Sequence, residues 1–250
     1  MRLGLKGRYV ADYFAGSSRV SAAIRRMGFT SRDYDIVKGP SGDLTSPTVL
    51  QSIERDATSN RIISAMLGPP CTSFSIARNR TSVIRTAEEP WGITTRALNE
   101  REQTAIDNGN KTTRATIRIL RVLNRARVPW ILENPASSRM WHIPELQRAC
   151  RRASGHFRCT DFCGWGARWR KRTLLMIGNM EPADTEHLSR HCVANGKLCG
   201  FSHKPHFVLS GSDKNGTPYT RIAQPYPTKF ANAVAKTLLV YEFPAVTYNS

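Results

Sequence analysis

A cysteine that follows two prolines is the residue of this chain best suited to covalent chemistry. Cys71 comes after Pro69 and Pro70 in the stretch "LGPPCTSFS". Proline fixes its own φ and restricts the residue before it, so the backbone that carries this thiol has little freedom. A thiolate held in this way is a good nucleophile. The alternative is an ordinary buried cysteine after a turn that ends a strand.

A carboxylate at the end of an apolar stretch is the second candidate. Glu133 lies near the end of "VPWILENP", residues 128–135. A buried carboxylate costs free energy unless it is paired or takes part in chemistry, so Glu133 is a candidate acid or base. The alternative is a carboxylate that caps neighbouring backbone groups.

The segments that must position these residues alternate between strand and helix. Apolar runs predict strands at 8–16, 33–37, 61–68 and 128–135, and helical spacing predicts helices at 19–29 and 44–55. This alternation predicts an α/β fold with a mostly parallel sheet flanked by helices. Ligands of such sheets bind beyond the carboxyl ends of the strands, and Cys71 and Glu133 lie at two of these ends.

The second half of the chain carries more of the charge. We predict a long loop over 76–109, a helix from about Lys111 to Arg125, a basic strand within 166–178 and a final helix within 224–241. The arginines of the 111–125 helix form either a solvated face or a stripe for nucleic acid. Residues 179–221 are rich in Gly, His and Ser and predict a small insertion, so that 1–178 and 222–250 form the main domain.

The overall charge indicates a polyanionic partner. The chain has 37 Lys and Arg against 19 Asp and Glu, a net charge of +18, which favours nucleic acid. No stretch reaches the ~20 apolar residues of a membrane span, and the N-terminus lacks the apolar core of a signal peptide. We therefore expect a soluble, intracellular protein without a membrane partner, nuclear if it is eukaryotic.

Five short stretches occur in a characteristic order between about residues 10 and 238. They are "FAGSS", "LGPPCTSFS", "LENP", "RWRKRT" and "ANAV". Together they resemble the motifs of the cytosine-5 methyltransferases. The resemblance implies a Rossmann-like fold that binds S-adenosylmethionine, with a small inserted target-recognition region. It also implies methyl transfer to carbon 5 of a flipped cytosine in DNA through a covalent cysteine adduct.

The resemblance also implies roles for individual residues. Cys71 would attack carbon 6 of cytosine, Glu133 would act at ring nitrogen 3, Arg172 would contact the exocyclic oxygen and favour the thiolate, and Arg170 would hold the loop. The residues expected to bind S-adenosylmethionine are Phe14, Gly16, Ser17, Ser18, Asp35, Ile36, Asp43, Leu44, Gly68, Pro69, Asn232 and Val234. Those expected to contact nucleic acid are Ser75, Arg78, Arg80, Arg85 and Arg168.

The sequence departs from the family pattern in the first turn. Ser18 and Arg19 stand where two glycines are usual, and side chains at these positions affect how closely the backbone approaches the cofactor. Asp33 competes with Asp35 for the cofactor's ribose. Two alternatives stay open: a cytosine-5 methyltransferase that acts on RNA, and an inactive nucleic-acid-binding or structural protein on the same fold.

The six cysteines are spread irregularly, which does not suggest a disulfide framework. Within the insertion, Cys192, Cys199, His203 and His206 could supply four zinc ligands, and Cys159 and Cys163 could join such a site. The spacing matches no standard zinc finger, so scattered polar residues are the alternative.

Overall fold

The computed structural model describes residues 7–76, 82–193 and 196–241. A six-stranded sheet runs through it in the order β2-β1-β3-β4-β6-β5. The strands are β1 (Tyr9–Tyr13), β2 (Ser31–Tyr34), β3 (Ile62–Leu67), β4 (Trp130–Pro135), β5 (His156–Asp161) and β6 (Arg172–Gly178). Strands β1 to β4 are parallel, and β6 is antiparallel to both its neighbours. The predicted α/β class with a mostly parallel sheet is confirmed.

Helices cover both faces of this sheet. They are α1 (Arg19–Arg26), α2 (Pro47–Thr58), α3 (Glu100–Arg125), α4 (Pro144–Arg152), α5 (Pro182–Thr185) and α6 (Thr228–Val240). Ile53 of α2, Leu120 of α3 and Leu146 of α4 belong to one buried cluster. Ile24 of α1 and Val234 of α6 belong to the other. The hydrophobic core therefore has two layers, one on each side of the strands.

Several predicted boundaries were wrong. Strand β2 ends at Tyr34, because the Asp35 carboxylate accepts a hydrogen bond from the Val37 N–H and turns the chain into a 3₁₀ helix. Helix α4 and strand β5 were not predicted. The division into a main domain and an insertion at 179–221 stays a prediction. In the part of the chain that the structure describes, every helix is too short or too polar to cross a membrane.

Helix α3 begins eleven residues before the predicted start at Lys111. Asn99 and Glu102 form a capping box at its N-terminus. The buried side of its first turns carries Glu102, Gly109 and Asn110 rather than an apolar stripe, so hydrophobic periodicity could not reveal it. The predicted loop over 76–109 is therefore too long.

This polar side of α3 surrounds a buried guanidinium. Arg85 is 2% exposed and donates hydrogen bonds to the Asn110 side chain at 2.9 Å, to the Ile106 carbonyl at 3.0 Å and to Ser73 Oγ at 3.2 Å. It also stacks 4.0 Å over the Phe74 ring. The prediction that Arg85 contacts phosphate was wrong, because these groups enclose its guanidinium.

The close approach of Ser73 to α3 predicts a specific packing defect. A Cβ added at Gly109 would lie 2.1 Å from Ser73 Oγ and 2.9 Å from an Arg85 nitrogen. We expect Gly109→Ala to lower the free energy of unfolding by about 2 kcal/mol through overpacking, although alanine normally stabilises a helix relative to glycine. Denaturant unfolding measures this, with exposed Asn108→Ala as the control in the same helix. A stabilised Gly109→Ala protein would contradict this packing.

Candidate active site

A cavity of about 1080 Å³ opens at the carboxyl ends of β1, β3 and β4. Its walls include residues 14–17 after β1, 68–72 after β3 and 133–137 at the end of β4. Parallel strands bring these three connections to one edge of the sheet, which is where ligands of such sheets bind. The predicted site residues that line it are Phe14, Gly16, Ser17, Gly68, Pro69, Cys71, Ser75, Glu133 and Arg172.

The loop that carries Cys71 is fixed at several points. The Cys71 carbonyl accepts hydrogen bonds from the backbone N–H groups of Phe74 and Ser75, each at 2.9 Å. The side chain of Asn134 donates to the Pro69 carbonyl at 2.9 Å and so ties the loop to β4. The Arg85 guanidinium stacks on the Phe74 ring and so fixes this part of the loop. The half-buried thiol therefore lies on a rigid turn at the cavity wall.

Glu133 is buried at the end of β4 and is held by two partners. Its carboxylate is 3.4 Å from the Lys171 ammonium and accepts a hydrogen bond of 3.0 Å from the Tyr226 hydroxyl. Burial raises the pKa of Tyr226 well above its ordinary value, so the phenol stays protonated and donates. Lys171 and Tyr226, which also line the cavity, were both missed at the sequence level.

The cation that acts on the Cys71 thiol is Lys171 rather than the predicted Arg172. Burial raises the pKa of Cys71, the Lys171 ammonium opposes that shift and the Glu133 carboxylate adds to it. Arg170 and Arg172 instead pair with the buried Asp161, at 3.2 and 3.5 Å. No local signal favoured Lys171 over its arginine neighbours, because the choice depends on where Glu133 and Asp161 lie in the fold.

The turn after β1 has an unusual backbone. Phe14, Gly16 and Ser18 all have positive φ, at 57°, 49° and 55°. Asp35 braces this turn by accepting hydrogen bonds from the Gly16 N–H at 2.8 Å and the Val37 N–H at 3.0 Å. The Ser18 hydroxyl lies against the Lys38 ammonium, 2.5 Å away.

Two charged residues near this turn have their own partners. Asp33, the competitor of Asp35, pairs with Arg25 and Lys38. Burial opposes its charge, but these cations lower the pKa of Asp33 to about 2. Arg19 donates a hydrogen bond of 2.8 Å to the Tyr226 carbonyl and connects the turn to the segment before α6.

Several residues predicted to bind S-adenosylmethionine lie away from the described cavity walls. Leu44 and Val234 are packed in the hydrophobic core on opposite faces of the sheet. Asn232 accepts a hydrogen bond from Arg26 at 3.0 Å, and the Asp43 carboxylate accepts from the Thr45 N–H at 2.9 Å. Ile36 is 63% exposed on the 3₁₀ helix after β2. Their predicted roles have no support from the cavity.

Of the residues predicted to contact nucleic acid, those that the structure describes lie apart from one another. Ser75 lines the cavity, whereas the exposed Arg168 stacks over the Phe207 ring at 5.8 Å. Arg78 and Arg80 lie outside the described residues. Among the predicted zinc ligands, His203 is wrong, because it is exposed on a left-handed turn with φ 53°.

No family model and no curated protein matches the chain. The chain is similar to a solved structure described as a DNA modification methyltransferase encoded within an E. coli prophage. The sequence identity is 13%, the match covers 83% of this chain and 56% of that chain, and the TM-score is 0.42. It is also similar to the Entamoeba histolytica methyltransferase EhMeth, with 10% identity, 94% and 98% coverage and a TM-score of 0.44. A third similar structure is the S. pombe Dnmt2 methyltransferase. Its sequence identity is 13%, the match covers 76% of this chain and 56% of that chain, and the TM-score is 0.39. This chain therefore spans little more than half of two of these proteins.

The environment of Cys71 predicts a pH-dependent reactivity. Because its pKa is raised, the thiol is mostly protonated at neutral pH, and its alkylation rate should still rise about tenfold per unit from about pH 7 to pH 9. Lys171→Gln should raise the pKa further and slow alkylation about threefold at neutral pH, the loss of thiolate being partly offset by higher nucleophilicity.

Iodoacetamide labelling followed by peptide mass spectrometry measures the rate at Cys71 alone. Arg172→Gln is the matched control and should leave the rate nearly unchanged, because the Arg172 guanidinium pairs with Asp161. A larger effect of Arg172→Gln than of Lys171→Gln would contradict the assignment of Lys171.

Proposed function

We propose that this chain transfers a methyl group from S-adenosylmethionine to carbon 5 of cytosine in DNA, with Cys71 as the nucleophile. The observation that carries the proposal is the meeting of Cys71 and Glu133 in one cavity, from the ends of two parallel strands. A nucleophile and an acid that face the same space are what addition to a cytosine ring requires. The motif order of the chain supports this choice of reaction.

The dimensions and walls of the cavity fit the cofactor together with a base. Its volume of about 1080 Å³ exceeds the usual range of about 300–1,000 Å³ for a single ligand pocket. Phe14, Gly16 and Ser17 would hold the cofactor on one side, with Gly68 and Pro69 beside them. A Cβ at Gly16 would meet nothing within 4 Å, so the backbone there is open to a ligand. The cofactor supplies an electrophilic methyl group on a sulfonium.

The residues of the chain carry the remaining steps. The Cys71 thiolate forms a bond from Sγ to carbon 6 of the ring, and Glu133 in its acid form gives a proton to nitrogen 3 as electrons move to carbon 5. Carbon 5 would then bond to the methyl group as the bond from that methyl to the cofactor's sulfur breaks, with the bonding electrons staying on sulfur. Loss of the carbon 5 proton to water then expels the Cys71 thiolate and restores the ring. Nitrogen 3 returns its proton to Glu133.

Two neighbours adjust these two groups. The Lys171 ammonium favours the Cys71 thiolate, which burial alone disfavours. It also stabilises the Glu133 carboxylate, 3.4 Å away, while the proton of Glu133 resides on nitrogen 3. The Tyr226 hydroxyl orients the other carboxylate oxygen at 3.0 Å. Lys171 and Tyr226 are therefore positioning residues in this mechanism.

The charge of the chain supports a nucleic-acid substrate. A net charge of +18 attracts the phosphate backbone. Carbon 5 and carbon 6 of a paired cytosine are covered by neighbouring bases, so the enzyme must flip the base or act on a single strand. RNA is the alternative substrate, and the experiment below compares the two.

One observation favours a second candidate, an inactive nucleic-acid-binding protein. The Arg19 side chain occupies the end of the first turn and bonds to the Tyr226 carbonyl at 2.8 Å. Gly68 and Tyr226 line the same cavity, and a Cβ added at Gly68 would lie 2.5 Å from the Tyr226 hydroxyl. These contacts bring the segment before α6 close to the walls that the cofactor would use.

A mechanism-based trap tests the reaction. An oligonucleotide with 5-fluorocytosine should form a covalent adduct with the protein in the presence of S-adenosylmethionine, because fluorine at carbon 5 cannot leave as a proton does. We expect Cys71→Ser to abolish the adduct on a denaturing gel. Cys159→Ser, the other partly exposed described cysteine, should leave it intact. DNA and RNA versions of the oligonucleotide identify the substrate by which one is trapped.

Cofactor binding is a separate prediction. Asp35→Ala removes the brace on Gly16 and should weaken S-adenosylmethionine binding at least about tenfold by calorimetry. Asp43→Ala is the control, because its carboxylate bonds locally to Thr45. Nucleic-acid binding with no cofactor binding and no adduct would reject the enzyme in favour of the inactive binder.

A further inference from the structure

Three thiols and one imidazole meet at the edge of the sheet, away from the cavity. They come from the 3₁₀ turn after β5 and from the described residues 190–193 and 196–207, and they are Cys163, Cys192, Cys199 and His206. One ligand atom from each lies within 4.8 Å of all the others. We name this group the cysteine–histidine cluster. The three cysteines are buried and form a cluster of their own, apart from the two layers of the core.

The spacing of the ligand atoms fits a tetrahedral metal site. The sulfurs of Cys192 and Cys199 are 3.7 Å apart, and the Cys192 sulfur is 3.8 Å from Nε2 of His206. In a tetrahedron with Zn–S bonds of about 2.3 Å, two sulfurs are separated by about 3.8 Å. A disulfide bond requires about 2.05 Å, so the cysteines are free thiols.

The backbone brings the two cysteine-bearing segments unusually close. A Cβ at Gly200 would lie 2.2 Å from the Val193 carbonyl oxygen, so only glycine fits beside Cys199. The Cys199 N–H donates to the Lys204 carbonyl at 2.9 Å, and the His203 N–H donates to the Cys199 carbonyl at 2.9 Å. This turn returns the chain toward His206. His203 forms part of this turn, and its imidazole is not one of the four ligands.

We propose that the cysteine–histidine cluster binds one structural zinc ion. Three thiolates and one imidazole form a complete tetrahedral ligand set, which is typical of structural rather than catalytic zinc. Without a metal, the three buried thiols would lie next to one another and make only weak polar contacts. With zinc, the thiols lose their protons and the ion joins segments that are otherwise connected by few regular elements.

The proposed metal site lies next to the basic segment that reaches the cavity. The Cys192 N–H donates to Asp161 at 2.8 Å, and the same carboxylate pairs with Arg170 and Arg172. Farther along, the Phe207 N–H donates to the Arg168 carbonyl at 2.8 Å. Zinc would therefore hold the described residues 190–193 and 196–207 against residues 168–172. The ion would order the segments beside residues 168–172 and would take no part in chemistry.

Metal analysis of the purified full chain tests this inference. We expect about one zinc ion per chain by elemental mass spectrometry, and its removal by a chelator should lower the thermal midpoint by several degrees. Cys192→Ser and Cys199→Ser should lose the metal. The matched controls are Cys159→Ser and His203→Ala, which should keep it, since neither side chain belongs to the cluster.

Cobalt substitution keeps the test decisive if a cysteine variant fails to fold. Wild-type protein refolded with Co²⁺ should show the intense visible bands of a tetrahedral site and thiolate-to-cobalt charge transfer, and excess Zn²⁺ should remove both. His206→Ala should weaken the visible bands, whereas His203→Ala should not. Protein that is folded, contains no metal and gives no cobalt spectrum would overturn the proposal. None of these readouts depends on methyl transfer.

Discussion

A carboxylate buried at the end of an apolar strand needs partners, and Glu133 obtains them from distant parts of the chain. Its oxygens contact Lys171, just before β6, and Tyr226, just before α6. Leaving such a charge unpaired would cost several kcal/mol, so these contacts join three segments at one edge of the sheet. The cavity has its shape because this pairing brings the basic segment and the segment before α6 over the ends of β3 and β4. Cys71 then has one side open to the cavity.

The opposite side of the Cys71 loop depends on a second buried charge. The Arg85 guanidinium is enclosed by the Ile106 carbonyl, Asn110 and Ser73, and the Phe74 ring covers its face. Buried polar networks of this kind are stabilising only when nearly every member is satisfied, and they then permit few alternative arrangements. The turn that carries the thiol is therefore supported by a polar core. A nucleophile benefits from such rigidity because its approach to the substrate is already set.

Neighbouring basic side chains at residues 170–172, where β6 begins, contact different carboxylates. Lys171 points to Glu133 and Cys71, whereas its neighbours Arg170 and Arg172 share the buried Asp161. Asp161 also accepts the N–H of Cys192 in the cysteine–histidine cluster. The same few residues thus connect the cavity with the proposed zinc site. A change at the metal would reach the cavity through this carboxylate and the segment it holds.

The sequence by itself determined the alternation of strands and helices, and with it the meeting of Cys71 and Glu133, because parallel strands must end at one edge. Apolar periodicity also identified most of α3, but not its first turns, whose buried face is polar around Arg85. Only the tertiary structure decided which cation serves the thiol, which hydroxyl holds Glu133, and that Cys163 replaces His203 in the cluster. These choices depend on contacts between residues far apart in the chain, which local pattern does not encode. Val234 and Leu44 match motif positions, but the packing of the two layers places them in the core.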